Sequence, residues 1–382
     1  MQGSATVCLY SLPDRHVTRK PAVNKGRGAV SNPAGRFAST AVLADVGEDF
    51  EDSSPATTLR AMPAGRIISR NDSPDVPFDR SINPYLGCEH GCIYCYARPG
   101  HSYLDLSPGL DFETRIFYKP NAVERLMAEW QKPGYECRPI TIGANTDPYQ
   151  PAEKRLGITR QLLEAFLRHR HPVSLISKGT LMRRDLDLLT ELAAQGLCSV
   201  ALSVPTADNS LKRLLEPRVP SASSRFALMQ ALSTHGVPVS LLMAPIIPAL
   251  NDREVEDILS RAGDSGATHA SYVLLRLPHE LNELFGDWLV AHYPERASHV
   301  MSLVRQAHGG RDYDNRFGIR QSGQGAIAEM IGRRFTVACR RAGLTHGRQW
   351  QQRLTCSLFE PPGRPQRAFD FDADTARRSG PR

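Results

Sequence analysis

Several patterns are missing from this chain of 382 residues, and each absence removes a class of protein. No run of about 18 or more apolar residues occurs, so no membrane-spanning helix is expected. The opening MQGSATVCLYSLPDRHVTRK lacks the continuous apolar stretch of a secretory leader, so the expected location is cytoplasmic. There is no disulfide ladder either. Cys8, Cys137, Cys198, Cys339 and Cys356 are scattered and unpatterned, unlike the framework of a small secreted protein. Singletons such as Cys198 read as small buried hydrophobes. Cys339 and Cys356 make no recognisable ligand motif, and the chain has no internal repeat beyond the strand–helix units described below.

Hydrophobic content of 41% and charged content of 23% are those of a globular protein, long enough for one large α/β domain or two smaller ones. The net charge of +7 permits nucleic-acid contact without requiring it, since part of the excess lies in the terminal ARRSGPR. Residues 1–60 are rich in Gly, Pro, Ser and charge and read as an irregular arm, although Arg27, Asn32, Arg36 and Phe37 are suited to pack across a folded domain.

What is present is concentrated in NPYLGCEHGCIYCYARPG, which places Cys88, Cys92 and Cys95 in the spacing Cys-x3-Cys-x2-Cys. Paired disulfides would need an even number, and a closed zinc site needs four ligands. Thiolates suit iron–sulfur clusters or zinc. On a 4Fe–4S cluster, three of them leave one iron open to an external ligand. The zinc alternative would recruit His90 or His101, but zinc modules bring two ligand pairs and no second pair is visible. Gly87 and Gly91 allow the backbone to bend closely, and their amides are expected to be free to reach cluster sulfides.

From about residue 80, short β-branched runs alternate with amphipathic helices. Strands are expected at 81–86, 139–144, 172–177, 197–204, 238–245 and 270–276. One helix is expected to start with Thr159 as N-cap and to bury Leu162, Leu163 and Phe166. A second presents Leu186, Leu189, Leu192 and Ala193 before Gly196, and a third presents Phe226, Met229 and Leu232 before Gly236. Six such units imply an α/β fold built on a parallel sheet. A partial TIM-like (β/α)6 barrel fits best, with a doubly wound sheet as the alternative. The expected organisation is an arm (1–60), a core (78–280), a helical C-terminal extension (281–359) and a flexible tail (360–382). Functional side chains should gather at the C-terminal strand ends.

The trio with Tyr94 before its last cysteine, on the loop after the first strand of such a pattern, resembles the signature of the radical S-adenosylmethionine (SAM) superfamily. GCIYCYARPGH, GANTDPYQPAEKRLGITRQLLEAF, LEPRVPSASSRFALMQAL and KGRGAVSNPAGRF resemble segments of the spore photoproduct lyase-related group and its uncharacterised relatives. The resemblance implies a radical SAM enzyme with lyase-like chemistry. Its 4Fe–4S cluster would be held by Cys88, Cys92 and Cys95, and a ferredoxin or flavodoxin would donate one electron. S-adenosyl-L-methionine would be cleaved to a 5′-deoxyadenosyl radical that acts on an unidentified substrate, a nucleic acid or a peptide.

It further implies that Thr146 and Asp147 receive the SAM ammonium, or else act as a turn cap before Pro148. Lys178 would meet the carboxylate and Ser203 the ribose, unless they are ordinary solvated or turn residues. Arg218 would contact carboxylate or substrate unless it forms a surface pair with Glu216. Tyr96 resembles the lyase pattern and would serve in radical relay or packing, and Arg276, ending the sixth strand, is a candidate for the substrate pocket. One departure is Asn145, which stands where the lyase carries a hydrogen-donating cysteine. The competing reading is a metal-bearing nucleic-acid interaction protein with a structural cysteine site.

Overall fold

Alternating β-branched runs and amphipathic helices assemble into a parallel sheet covered by helices, seen in a computed structural model that describes residues 23–37, 56–347 and 354–363. The strands are β1 (Thr58–Ala61), β2 (Ile68–Arg70), β3 (Arg80–Ile82), β4 (Tyr85–Leu86), β5 (Arg115–Tyr118), β6 (Ile140–Ile142), β7 (Val173–Ser177), β8 (Cys198–Ser203), β9 (Val239–Ile246), β10 (His269–Leu274) and β11 (Thr345–His346). The helices are α1 (Leu110–Thr114), α2 (Ala122–Trp130), α3 (Glu153–Leu156), α4 (Ile158–Arg168), α5 (Leu186–Ala194), α6 (Asn209–Leu215), α7 (Ala222–Thr234), α8 (Val255–Asp264), α9 (Leu281–His292), α10 (Ala297–Ala307) and α11 (Ala326–Arg341).

The large sheet runs β11-β10-β9-β8-β7-β6-β3-β2, and β1, β5 and β4 form a smaller one. Every neighbouring pair of the large sheet is parallel except β2 with β3. The order is linear rather than circular, so the barrel is partial and open, as the strand count requires.

Two strand expectations change. The run 81–86 is not one strand, because Pro84 has no amide to donate to a ladder. β3 stops before it, and β4 turns away to pair antiparallel with β5, Tyr85 opposite Tyr118. A seventh parallel strand, β11, comes from the segment read as a helical extension and adds to the open edge of β10. Two residues are too few to carry a periodicity, and the edge of β10 supplies the unpaired backbone groups.

The helices bury the expected faces. Leu162, Leu163, Phe166, Leu189, Leu192, Met229 and Leu232 are fully buried, and Phe226 nearly so. Each fully buried apolar side chain is worth about 1.5–3 kcal/mol. Gly196 and Gly236 follow α5 and α7 with φ of +69° and +74°. Thr159, however, lies inside α4 rather than capping it. Its N–H donates to Glu153 Oε2 (3.0 Å) and its hydroxyl to the Pro148 carbonyl (2.7 Å), while Gly157 is the cap.

The arm is partly a structural strap. Arg27 Nη1 donates to the Glu113 carbonyl (3.1 Å), and Asn32 Oδ1 accepts from Leu110 N (2.8 Å) at the start of α1. Arg36 pairs with Glu280 (3.3 Å), and the Phe37 ring lies 5.0 Å from that of Tyr103. At the other end, Thr355 N donates to the Gly196 carbonyl (3.1 Å), and Phe359 packs 5.6 Å from the Trp130 ring. The remainder of the expected arm and the tail beyond 363 lie outside the described residues. Among those described, no helix is long and apolar enough to cross a membrane.

Two apolar clusters result among the described residues. One fills the space between the sheet and its helices. The other joins Ala29, Val30 and Ile93 to Leu215, Phe285 and Trp288, and so anchors the cysteine loop.

Candidate active site

The chain leaves β4 into the loop that carries the trio. Cys88 and Cys92 are buried, Cys95 is half-buried, and all three are free thiols. The loop is held by its backbone: Cys88 N donates to the Phe112 carbonyl (2.9 Å), Ile93 N to Leu215 O (3.1 Å) and Cys95 N to Cys92 O (3.2 Å). Gly87 and Gly91 have φ of +79° and +67°. A Cβ at Gly91 would stand 2.7 Å from Glu113 Oε2, and one at Gly87 2.9 Å from His101 Cε1, so only glycine fits at either position. The amide of Gly91, expected to be free, donates to Cys88 O (3.3 Å).

Arg98 is fully buried and uses all five of its donors. Nε meets the Cys92 carbonyl (2.9 Å), Nη1 meets those of Pro108 (3.1 Å) and Gly109 (2.9 Å), and Nη2 meets Gly91 O (3.2 Å) and Glu113 Oε1 (2.5 Å). Glu113, fully buried on α1, also accepts from Gly28 N (3.0 Å) and Ala29 N (2.8 Å). The strap therefore lies directly on the cysteine loop, and a Cβ on Gly28 would overlap the Gly91 carbonyl oxygen at 1.9 Å. Sequence reasoning missed this pair. Arg98 reads as an ordinary basic residue and Glu113 as a helix-surface acid, and the only signal was the position of Arg98, three residues after Cys95.

Among the described residues, no group of three His, Cys, Asp or Glu side chains is placed to hold one metal ion. In a cluster each of the three thiolates would take a different iron, whereas a closed mononuclear zinc site would need a fourth ligand. The two alternative zinc ligands are engaged elsewhere. His90 Nδ1 lies 3.3 Å from Asp147 Oδ2, within ion-pair range though misaligned for a hydrogen bond, and His101 Nε2 is 3.1 Å from the Arg115 carbonyl. Burial first, then the Asp147 carboxylate, pushes the Cys88 thiol well up. Burial and Glu216 push Cys92 up, while Lys178 opposes them. A cationic iron centre is the kind of partner that would hold both as thiolates.

The strand ends bring the other expected residues around this loop. At the end of β6, the Thr146 hydroxyl donates to the Tyr85 carbonyl (2.8 Å). Asp147 accepts from Tyr149 N (2.9 Å), Ser177 Oγ (2.7 Å) and Lys178 N (2.7 Å). Burial alone would raise its carboxyl, but His90, Ser177 and the Lys178 amide outweigh burial and hold it at about 2. Asp147 thus clamps the β6 and β7 loops together as an ionised group.

The Lys178 side chain stands 5.8 Å over the Tyr94 ring, and no hydrogen bond holds its Nζ among the described residues. Burial would lower its ammonium, but Cys92, Glu216, Asp147 and Cys95 together raise it. Ser203, at the end of β8, is buried and donates to Ala244 O (3.3 Å). Exposed Asn145 is fixed through its backbone N–H to Asn83 Oδ1 (2.8 Å).

The surface pair of Glu216 with Arg218 does not form. Glu216 is buried and accepts from the Tyr94 hydroxyl and from Arg225 Nη2 (2.9 Å), and Arg225 Nη1 reaches Ser203 O (2.7 Å). Arg218 instead faces Glu89 (3.4 Å). Tyr94, Glu216 and Arg225 thereby tie the cysteine loop to β8, a linkage that the sequence concealed because its members are 122 and 9 residues apart. Tyr96 is 47% exposed, its hydroxyl donates to the Ala144 carbonyl, and the Arg276 guanidinium lies 5.6 Å from its ring. Cys339 is buried in the main core and, among the described residues, joins no ligand group.

Comparison with known proteins agrees with this geometry. The sequence profile of the Radical SAM superfamily matches residues 82–262, which span the trio and strands β6 to β9. An uncharacterised protein of Mycobacterium tuberculosis is 36% identical over 233 residues, 60% of this chain and 68% of that protein. An uncharacterised protein of Methanocaldococcus jannaschii is 28% identical over 214 residues, 56% of this chain and 76% of that one. Among solved structures, a spore photoproduct lyase variant with bound AdoMet and dinucleoside spore photoproduct matches with a TM-score of 0.56 at 13% identity, over 75% of this chain and 81% of that chain. At that identity the likeness speaks for the fold alone. On the profile match, the chain belongs to the radical SAM superfamily.

Proposed function

We propose that this radical SAM enzyme holds its 4Fe–4S cluster on Cys88, Cys92 and Cys95 and directs its chemistry at a substrate that enters beside Tyr96. The observation that carries the reading is the trio itself: three free thiols on one glycine-shaped loop beside the strand ends. When bound, the reduced cluster supplies the electron that cleaves SAM to methionine and a 5′-deoxyadenosyl radical able to abstract hydrogen.

The remaining roles belong to the chain. Lys178, with its Nζ free of hydrogen bonds among the described residues, is the donor for the SAM carboxylate. Asp147 supplies a fixed negative charge that attracts the ammonium, while Thr146 orders the same turn. Ser203 faces the ribose, and Arg218, paired with Glu89, closes the side toward the strap. Tyr96, the exposed side chain next to Cys95, borders the substrate and is placed to relay a hydrogen atom. The chemistry needs a one-electron donor, for which a flavodoxin or a ferredoxin is suited. A nucleic acid or a peptide is the substrate class, and Asn145 in place of a hydrogen-donating cysteine favours an outcome other than dimer repair.

The test is formation of 5′-deoxyadenosine by anaerobically reconstituted protein given dithionite and SAM, beside a Cys92→Ala control. Product from the wild type alone supports the reading. A native protein that contains zinc and no iron would defeat it and favour the structural-site alternative.

A further inference from the structure

Next to Cys95 opens a cavity of about 500 Å³, lined by Tyr96, Arg276, Pro278, His279, Tyr313 and Asn315 among others. Its walls come from three places: the cysteine loop, the segment after β10 and the turn between α10 and α11. The Arg276 guanidinium lies between two tyrosines, 5.6 Å from the Tyr96 ring and 5.7 Å from that of Tyr313. Among the described residues its one hydrogen bond runs from Nη2 to the Tyr313 hydroxyl (2.9 Å), and its buried Nε has no partner.

That distinguishes Arg276 from the arginines around it. Arg36 is neutralised by Glu280, Arg320 by Asp75, Arg316 by Asp314 and Arg98 by Glu113. Arg276 has no carboxylate partner among the described residues. A partly desolvated guanidinium with a free edge is poorly satisfied, and its planar fork matches the two oxygens of a carboxylate or phosphate. The Tyr313 hydroxyl accepts from Arg276, which leaves its own proton to donate to the same anion.

We propose that this cavity is a substrate subsite that takes an oxyanion, with Arg276 and Tyr313 as its donors and the rings of Tyr96 and Tyr313 as its walls. Assignment of the oxyanion to the substrate rests on the function proposed above; binding of the anion does not.

Equilibrium dialysis of radiolabelled inorganic phosphate against the anaerobically purified full chain tests it, with acetate as competitor. Wild type should hold phosphate saturably, and Arg276→Gln should bind it roughly tenfold or more weakly. Tyr313→Phe, which removes one hydroxyl from a turn, should fall between, and circular dichroism checks that both variants fold. Displacement by acetate would point to a carboxylate source, and indifference to acetate would point to a phosphate ester. No saturable binding by wild type overturns the proposal, as does unchanged binding by folded Arg276→Gln or Tyr313→Phe. Dialysis needs neither reductant nor SAM, so its failure and a failure to form 5′-deoxyadenosine are separate results.

Discussion

Glu113→Ala probes the device that seats the cysteine loop. Glu113 is fully buried, is the only carboxylate paired with Arg98 among the described residues, and accepts from the amides of Gly28 and Ala29. Its removal leaves a fully buried guanidinium without a counter-charge, and breaking a buried pair on one side costs about 3–5 kcal/mol. The two amides can regain water only if the strap lifts, which uncovers the loop beneath. Glu113→Gln keeps the volume and one acceptor oxygen and should lose less, about 1–3 kcal/mol. Urea unfolding of the iron-free chain, followed by circular dichroism, reads the stability, and the rate at which Ellman's reagent labels Cys88 and Cys92 reads the strap. The alanine variant should unfold at lower urea and label faster from the native state. A variant within about 0.5 kcal/mol of wild type, with unchanged labelling, would refute the reasoning, because that is the range of an ordinary surface substitution.

Other outcomes are equally definite. Lys178→Met should weaken SAM binding to the anaerobic protein by roughly tenfold to a hundredfold, the loss of one charge-assisted bond, as measured by dialysis of labelled SAM. His171 is fully buried, stacked 4.7 Å from the Trp130 ring and 2.8 Å from the Tyr135 hydroxyl, and burial holds its imidazole down at about 3. The unfolded chain takes up that proton first, so stability is complete above the ordinary histidine value and falls as pH drops. Between pH 7 and 5 this amounts to about 2 kcal/mol in urea unfolding of the iron-free chain, and His171→Phe should flatten the slope. A variant with the same slope would contradict the assignment.

The trio's placement was legible because it is local: three thiols in one short loop, with glycines that adopt positive φ. The parallel strands β6 to β10 were legible because strands buried by helices read as continuous β-branched runs. β11 was not, since two residues carry no period and only the open edge of β10 recruits them. The turn of the chain at Pro84 out of the main sheet was equally hidden, because whether a proline ends a strand or starts another depends on which edge is available.

The sequence by itself determined the three thiols and their spacing in one loop, the alternation that makes a parallel sheet, and the strand ends that surround the loop. The tertiary structure alone decided the partners. It chose Arg225 rather than Arg218 for Glu216, spent the Asp147 oxygens on the β6 and β7 loops, locked the strap through Arg98 and Glu113, and left Arg276 without a counter-ion among the described residues. Ion pairing and burial depend on distance in space, and residues that meet in a folded core carry no mark of each other along the chain.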